Sequence, residues 1–343
     1  MSRPMDLGFD KATDAMTRLL NPLLVALLII TALLSLAVGS TEVAVLSGLY
    51  QWLTGQTSLE AIVIGEIRLP RTLLALSVGA ALGLSGAALQ GLLRNPLAEP
   101  SLTGASQGAA LGAASVFYFG LFPSLGAAAP GVAGLIGAAI PQTLMLMLAG
   151  SARSHMVIMA GLAISTLSGA ALATVLNFAP NPYAMQELVF WLLGSVSERG
   201  LEHLWLLGPA LLAGSALILS QRRLLSGLSL GDEVARSLGL NVRLGSIMLV
   251  LGAAMLVGSS VAVAGSIGFV GLLVPHILRP LVQHRPERLL IPAALAGAIL
   301  VCLADIGVRL LPPGRELKLG VLTSLLGAPL FIWLVWKERK RWI

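Results

Sequence analysis

The sequence has very little charge and almost no cysteine. Charged residues make up 11% of its 343 positions, whereas a soluble globular domain usually has about a quarter. So few charges cannot cover a water-facing surface of the required size, which excludes a soluble protein. The single cysteine, Cys302, lies inside an apolar run and excludes both an intramolecular disulfide and a cysteine metal site.

Recognisable catalytic and nucleotide-binding motifs are also missing. The chain has no Walker A motif, no HExxH and no GxSxG with plausible triad partners. Its histidines are scattered, and no pair has metal-ligand spacing on one helix face. We therefore expect no metal site and no cofactor bound by this chain. Any coupling to energy must come from a partner protein or from an ion gradient.

Long apolar runs dominate what is present. Hydrophobic residues make up 56% of the chain and the mean hydropathy is +0.89. A bilayer core needs roughly 20 apolar residues per helix, and about ten runs meet that need. They are 20–39, 72–93, 102–122, 127–149, 156–178, 201–220, 244–265, 266–283, 289–311 and 319–336. We predict an all-α polytopic membrane protein with about ten transmembrane helices, in which a turn at Ala264-Gly265-Ser266 separates the seventh run from the eighth.

The basic residues predict the topology. The net charge is +6, but the arginines and lysines form short clusters between apolar runs, which does not fit a nucleic-acid partner. A cytoplasmic N-terminus and C-terminus place 16 of the 22 basic residues inside. The domain boundaries follow as a cytoplasmic segment 1–19, a transmembrane domain 20–336 and a basic cytoplasmic tail 337–343. The basic residues left outside are Arg68, Arg71, Arg199, Arg309, Arg315 and Lys318.

Small residues recur at helical spacing within the predicted spans. Gly79 and Gly83 are four residues apart, as are Gly104, Gly108 and Gly112. Glycines at this spacing form a flat stripe that lets two helix backbones approach closely. We expect these stripes to pack helices within one subunit.

Buried charges are nearly absent from the spans. Asp305 lies in the ninth run and Arg309 follows at i+4, so the two can pair on one helix face. A self-neutralised pair near a helix end is more typical of structure or docking than of a proton relay. The pattern weighs against an ion-coupled secondary carrier. The lack of a paired nucleophile and base also weighs against an intramembrane enzyme.

The longest predicted cytoplasmic segment is 221–243. It predicts a short helix capped by Ser229, opening with Gly231, Asp232 and Glu233 and ending at Gly239. Such a helix, with apolar residues on one side, fits either a knob for a soluble partner or a solvated connection.

Several blocks together resemble one family, the FecCD/BtuC-type permeases, which are membrane subunits of ABC importers for iron-siderophores, haem and vitamin B12. The first block runs from Arg68 to Gly104 and reads RLPRTLLALSVGAALGLSGAALQGLLRNPLAEPSLTG. The others are FWLLGS (190–195), LGDEVARSLGL (230–240), AVAGSIGFVGLLVPHILR (262–279), LADIGVRL (303–310) and ELKLGVLTSLLGAPLFIWL (316–334). They extend over nearly everything after residue 65, in the order of the family.

The resemblance implies an architecture and a set of partners. We expect a type II ABC importer permease fold, a homodimer, and a translocation path at the dimer interface. Two cytoplasmic ABC ATPase subunits would bind ATP–Mg and drive transport, and a periplasmic substrate-binding protein would deliver the substrate. The expected location is the bacterial inner membrane, with multiple passes through the lipid bilayer.

The resemblance also implies roles for particular residues. Binding-protein docking is expected at Arg68, Arg71 and Arg309. ATPase coupling is expected at Asp232, Glu233, Val234, Ala235, Arg236, Ser237, Leu238 and Gly239. A cytoplasmic gate is expected at Asn95, Leu97, Ser154 and His155, where His155 departs from the small hydroxyl residue of the family pattern.

The substrate is the least determined feature. Haem and vitamin B12 relatives often carry an arginine shortly before the FWLLGS block, but here residues 184–188 read AMQEL. This absence disfavours an anionic tetrapyrrole and places a ferric siderophore first. The APLFIWL sequence near the C-terminus is similar to the vitamin B12 importer, so a corrinoid and haem remain the alternatives.

Overall fold

The computed structural model describes residues 7–39, 41–100, 104–149, 154–179, 181–311 and 317–339. These residues form helices and connecting turns, with no strand among them. The first helices are α1 (Leu7–Ala37), α2 (Val45–Leu53), α3 (Leu59–Ile62), α4 (Leu69–Leu92), α5 (Ala105–Phe119), α6 (Ala129–Ala149), α7 (Ser154–Asn177) and α8 (Pro182–Leu192). The remaining helices are α9 (Glu202–Ser220), α10 (Arg222–Ser229), α11 (Asp232–Ser237), α12 (Val242–Ala264), α13 (Val270–Leu278), α14 (Pro286–Arg309) and α15 (Leu319–Arg339).

The predicted apolar runs coincide with ten of these helices, namely α1, α4, α5, α6, α7, α9, α12, α13, α14 and α15. Within the described chain, six helical stretches are long and apolar enough to cross a membrane. One of them, Leu59–Leu92, is continuous because a π-helical turn (Val63–Arg68) joins α3 to α4. The all-α membrane fold is confirmed.

The eighth predicted span, 266–283, is shorter in the structure than its hydropathy suggests. Helix α12 ends at Ala264, and Gly265 takes φ +70°, which confirms the predicted turn. Helix α13 begins only at Val270 and continues into a short 3-10 turn (Arg279–Val282). Its total length is about 21 Å, whereas the hydrocarbon core is about 30 Å thick. This element is therefore a half-helix within the bundle.

The glycine stripes pack helices within the subunit, as predicted. A Cβ atom added to Gly79 would lie 2.3 Å from the Gly297 carbonyl oxygen of α14, and one added to Gly83 would lie 2.1 Å from the Ala293 oxygen. Helices α5 and α6 meet in the same way, since a Cβ on Gly108 would lie 2.3 Å from a backbone oxygen of α6. These contacts leave no room for a larger residue.

The chain between α1 and α4 carries helices that the hydropathy pattern did not indicate. Helices α2 and α3 form a short hairpin on the outer side, where the Ser47 hydroxyl and the Glu60 carboxylate are hydrogen-bonded to each other. A Cβ on Gly48 would lie 2.7 Å from the Glu60 carbonyl oxygen, so the two helices touch through their backbones. The hairpin leads directly into the arginine-bearing start of α4.

Candidate functional sites

The outer end of α4 and the outer end of α14 are joined by a buried carboxylate. Asp305 is 1% exposed. The Nε of Arg71 lies 3.0 Å from each oxygen of that carboxylate, and its Nη2 lies 2.8 Å from Oδ1. The Nε of Arg309 donates to Oδ2 at 2.8 Å. The predicted Asp305–Arg309 pair is confirmed, whereas no pattern in the sequence indicates that Arg71 shares the same carboxylate.

Arg68 and Arg309 also donate hydrogen bonds to backbone carbonyl groups at the end of α1. The last carbonyl groups of an α-helix have no helical partner and carry partial negative charge. Arg68 Nη1 donates to the carbonyl oxygens of Leu36 and Ala37 at 2.8 Å and 2.9 Å. Arg309 Nη1 donates to the carbonyl oxygen of Ser35 at 2.7 Å. The arginines therefore fix where the first membrane helix stops.

We define the outer arginine cluster as Arg68, Arg71, Arg309 and Asp305. The structure brings together the three arginines predicted to dock a binding protein, and the cluster has three positive charges against one negative charge. Their side chains are largely enclosed, since Arg68 as a residue is 4% exposed and the Arg309 side chain 7%. The Arg71 side chain is 19% exposed. Docking stays a prediction, and Arg71 is the arginine whose side chain offers the most accessible surface.

The predicted gate turn follows α4 on the cytoplasmic side. Arg94 takes φ +50°, a left-handed conformation that bends the chain sharply after the helix. The Asn95 Oδ1 accepts a hydrogen bond from the Leu97 backbone N–H at 2.9 Å, which closes an Asx turn. The Leu97 side chain is exposed. The turn is thus locally fixed and presents an apolar side chain to its surroundings.

The other half of the predicted gate lies at the start of α7. Ser154 and His155 belong to the first turn of that helix. Their side chains fall outside the part of the chain that the structure describes, as do residues 150–153. The gating role of all four residues therefore stays a prediction.

The predicted coupling helix is present as α11, from Asp232 to Ser237. Gly239 ends it with φ +76°, as expected of a glycine just beyond a helix. The predicted Ser229 cap is wrong, because that hydroxyl donates to the Ser226 carbonyl at 2.6 Å within α10 and Gly231 occupies the N-cap position. The sequence did not reveal that residues 222–229 form a helix of their own.

Helix α11 and its C-cap residue Leu238 place their apolar side chains on different sides. Ala235 is buried, whereas Val234 and Leu238 are exposed. Asp232, the first residue of α11, lies 2.8 Å from the guanidinium of Arg94. Helix α11 therefore has an exposed apolar side and one charged contact with the turn that follows α4.

A cavity of about 420 Å³ opens on the outer side between α5, α6, α8, α9 and α12. Its lining includes the aromatic rings of Phe190 and Trp191 from the FWLLGS block. Its charged and titratable lining residues are Glu187, Glu198, Arg199, Glu202, His203 and Lys318. Burial lowers the pKa of Arg199, while Glu198 and Glu202 act in the opposite direction. Among the described residues, no three His, Cys, Asp or Glu side chains are close enough to hold a metal ion.

Comparison with known proteins agrees with these features along almost the whole chain. Residues 27–337 match the FecCD transport family. The hemin transport system permease protein HmuU of Yersinia pestis is 39% identical over 327 residues, which is 94% of this chain and 98% of the relative. The vitamin B12 import system permease protein BtuC of Salmonella typhi is 39% identical over 317 residues, covering 92% of this chain and 94% of the relative.

A solved structure of an inward-facing ABC transporter of the metal-chelate type superposes with a TM-score of 0.81 and 33% identity. The match covers 92% of this chain and 97% of that one. The helical fold and the sequence matches lead to the same assignment. This chain belongs to the FecCD transport family and is a multi-pass permease subunit of the ABC importer type.

Proposed function

We propose that the chain forms the homodimeric inner-membrane permease of an ABC importer that carries a ferric siderophore from periplasm to cytoplasm. Transport would proceed by alternating access at the dimer interface. Family membership carries the importer assignment, and the contacts below support the individual partners. The chain is not itself the enzyme, because ATP–Mg would be bound and hydrolysed by two separate ATPase subunits.

The ATPase partner is supported by the shape of α11. Val234 and Leu238 expose apolar surface on a cytoplasmic helix, although water would favour polar residues at both positions. Covering these side chains with a groove of a soluble subunit would remove apolar area from water and stabilise the complex. Asp232, by contrast, contacts Arg94 of the permease itself.

The periplasmic binding protein is supported by the outer arginine cluster. Its excess of positive charge favours acidic side chains on a partner, and several such contacts together orient docking and speed encounter. Arg71 would make the direct contact because its side chain is the most accessible of the three. Arg68 and Arg309 would act mainly by positive potential and by holding α1, α4 and α14 in register.

The siderophore assignment is supported by the charges near α8. Glu187 lies where the family's arginine is missing, and Glu198 and Glu202 line the same outer cavity. The three carboxylates outnumber the two fixed cations of this cavity, Arg199 and Lys318. The entrance would therefore repel the carboxylate groups of haem more than a neutral or cationic chelate such as a ferric hydroxamate. The relatives named for hemin and vitamin B12 keep a haem or a corrinoid as the second candidates.

A direct binding assay would decide the substrate. The cognate periplasmic binding protein should be titrated calorimetrically with ferric hydroxamate and catecholate siderophores, cobalamin and haemin under the same buffer. We expect at least one ferric siderophore to bind in the micromolar range or tighter, with the iron-free form as a matched control. Binding of cobalamin or haemin alone would overturn the siderophore assignment and leave the importer assignment standing.

A further inference from the structure

The gate turn and the coupling helix meet through an ion pair. Arg94 Nη2 lies 2.8 Å from Asp232 Oδ1, and the two side chains are 39% and 18% exposed. The Asp232 Oδ1 atom itself is buried, and it accepts no well-directed hydrogen bond. The attraction is therefore mainly between charges, and it is sheltered from water on the side of the carboxylate.

Arg94 is rigidly connected to the rest of the gate turn. Its left-handed backbone is uncommon for a residue with a side chain and persists only where the surroundings fix it. The next residue, Asn95, donates its backbone N–H to the Gln90 carbonyl at 3.2 Å and bonds to Leu97 through its side chain. A displacement of Arg94 must therefore move Asn95 and Leu97 with it.

The same turn is anchored to the half-helix α13 on both of its sides. Before the turn, the buried Gln90 donates to the Leu272 carbonyl at 3.1 Å and accepts from Arg279 at 2.9 Å. After the turn, the Glu99 carboxylate accepts a hydrogen bond from the Phe269 backbone N–H at 3.0 Å, at the start of α13. Residues 90–99 thus connect α11, on the cytoplasmic side, to α13 within the helix bundle.

We propose that the Arg94–Asp232 ion pair transmits movement of α11 to the gate turn and, through Gln90 and Glu99, to α13. Arg94 and Asp232 are positioning residues in this scheme, since neither touches the substrate. The inference rests on the proposed function, because it takes the ATPase as the subunit that moves α11. It adds a specific charged link to the apolar docking surface of α11.

A charge exchange tests the pair in the complete reconstituted complex. The variants are Arg94→Asp, Asp232→Arg and the double exchange, with Arg285→Asp as the matched control. Arg285 is an exposed arginine at the same cytoplasmic side. The readout is the number of substrate molecules imported per ATP hydrolysed. Each single reversal should lower this ratio by about threefold or more, as loss of a partly exposed pair implies, and the exchange should bring it within about twofold of the original value.

Three outcomes would overturn the proposal. In the first, both single reversals match the Arg285→Asp control. In the second, the single reversals impair coupling and the exchange does no better than either of them, which would show that the two residues act separately. Loss of ATPase assembly in the single variants, without recovery in the exchange, counts against the pair in the same way.

A second readout does not depend on the substrate. In a Leu97→Cys background, the rate of maleimide labelling reports exposure of the gate turn, and the native thiol of Cys302 is buried. Adding ATP should change this rate several-fold with Arg94 and Asp232 in place, and the change should disappear in Asp232→Arg. An unchanged ATP response in that variant would refute the link. Absence of ATP-driven uptake by the unaltered complex would instead count against the proposed function.

Discussion

Asp305 is the residue whose loss should weaken the subunit most through electrostatics. Its carboxylate is enclosed, and it accepts hydrogen bonds from Arg71 and Arg309 at 2.8 Å to 3.0 Å. In Asp305→Asn the side chain keeps its shape but loses its charge, and its amide nitrogen faces arginine N–H groups that also donate. Two positive charges are then left without compensation in a poorly hydrated place.

The expected magnitude follows from the burial of the pair. Removing one partner of a buried ion pair costs about 3–5 kcal/mol, because the remaining charge stays buried and unpaired. We expect Asp305→Asn to lower the free energy of unfolding by about this amount, at the upper end if both arginines stay enclosed. An exposed surface pair would cost at most about 1 kcal/mol, so the two cases are separable.

The assay is SDS titration of the purified subunit in mixed micelles, followed by loss of helical circular dichroism. Glu42→Gln is the matched control, because it makes the same change from acid to amide at an exposed outer position. Adding Arg309→Gln to Asp305→Asn should recover part of the loss, since one uncompensated charge is removed. The reasoning is refuted if Asp305→Asn unfolds at the same SDS concentration as the Glu42→Gln control.

Three further predictions concern packing, docking and assembly. Gly83→Ala should destabilise the subunit by about 1–3 kcal/mol, because its Cβ would overlap α14, whereas Gly169→Ala, where nothing lies within 4 Å, should be tolerated in the same SDS titration. Arg71→Gln, which leaves Asp305 paired with Arg309, should weaken association with the binding protein by up to about fivefold at low salt; unchanged affinity in a surface plasmon resonance titration would remove Arg71 from the docking site. Leu238→Asp should reduce co-purification of the ATPase, while Glu42→Gln should leave it intact; equal ATPase yields from both variants would contradict docking through α11.

Much of the bundle could be predicted from hydropathy and small residues. Apolar runs of membrane length have few alternatives to a helix, because lipid cannot form hydrogen bonds with the backbone N–H and C=O groups. Glycines four residues apart indicated close helix packing, and Gly265 indicated the turn after α12. The Asp305–Arg309 pair could also be predicted from the sequence, because a spacing of four residues places both side chains on one helix face.

The features that sequence patterns missed are set by distant residues. Arg71 and Asp305 are 234 positions apart in the sequence. Arg94 and Asp232 are also far apart, and periodicity carries no information about such contacts. The predicted eighth span, 266–283, is too long because residues 266–269 count as part of an apolar run although they are not helical. Ser229 has the chemistry of a helix cap, but its hydroxyl is used by α10.

The central claim is that this chain imports its substrate with energy from a separate ATPase. The most direct measurement is uptake of radiolabelled ferric siderophore into proteoliposomes that contain the permease and the ATPase in right-side-out orientation, with ATP enclosed in the lumen and the binding protein and substrate added outside. We predict accumulation that requires ATP and stops when the ATPase carries a Walker A lysine substitution. Equal uptake without ATP, driven by an imposed proton or sodium gradient, would contradict the account.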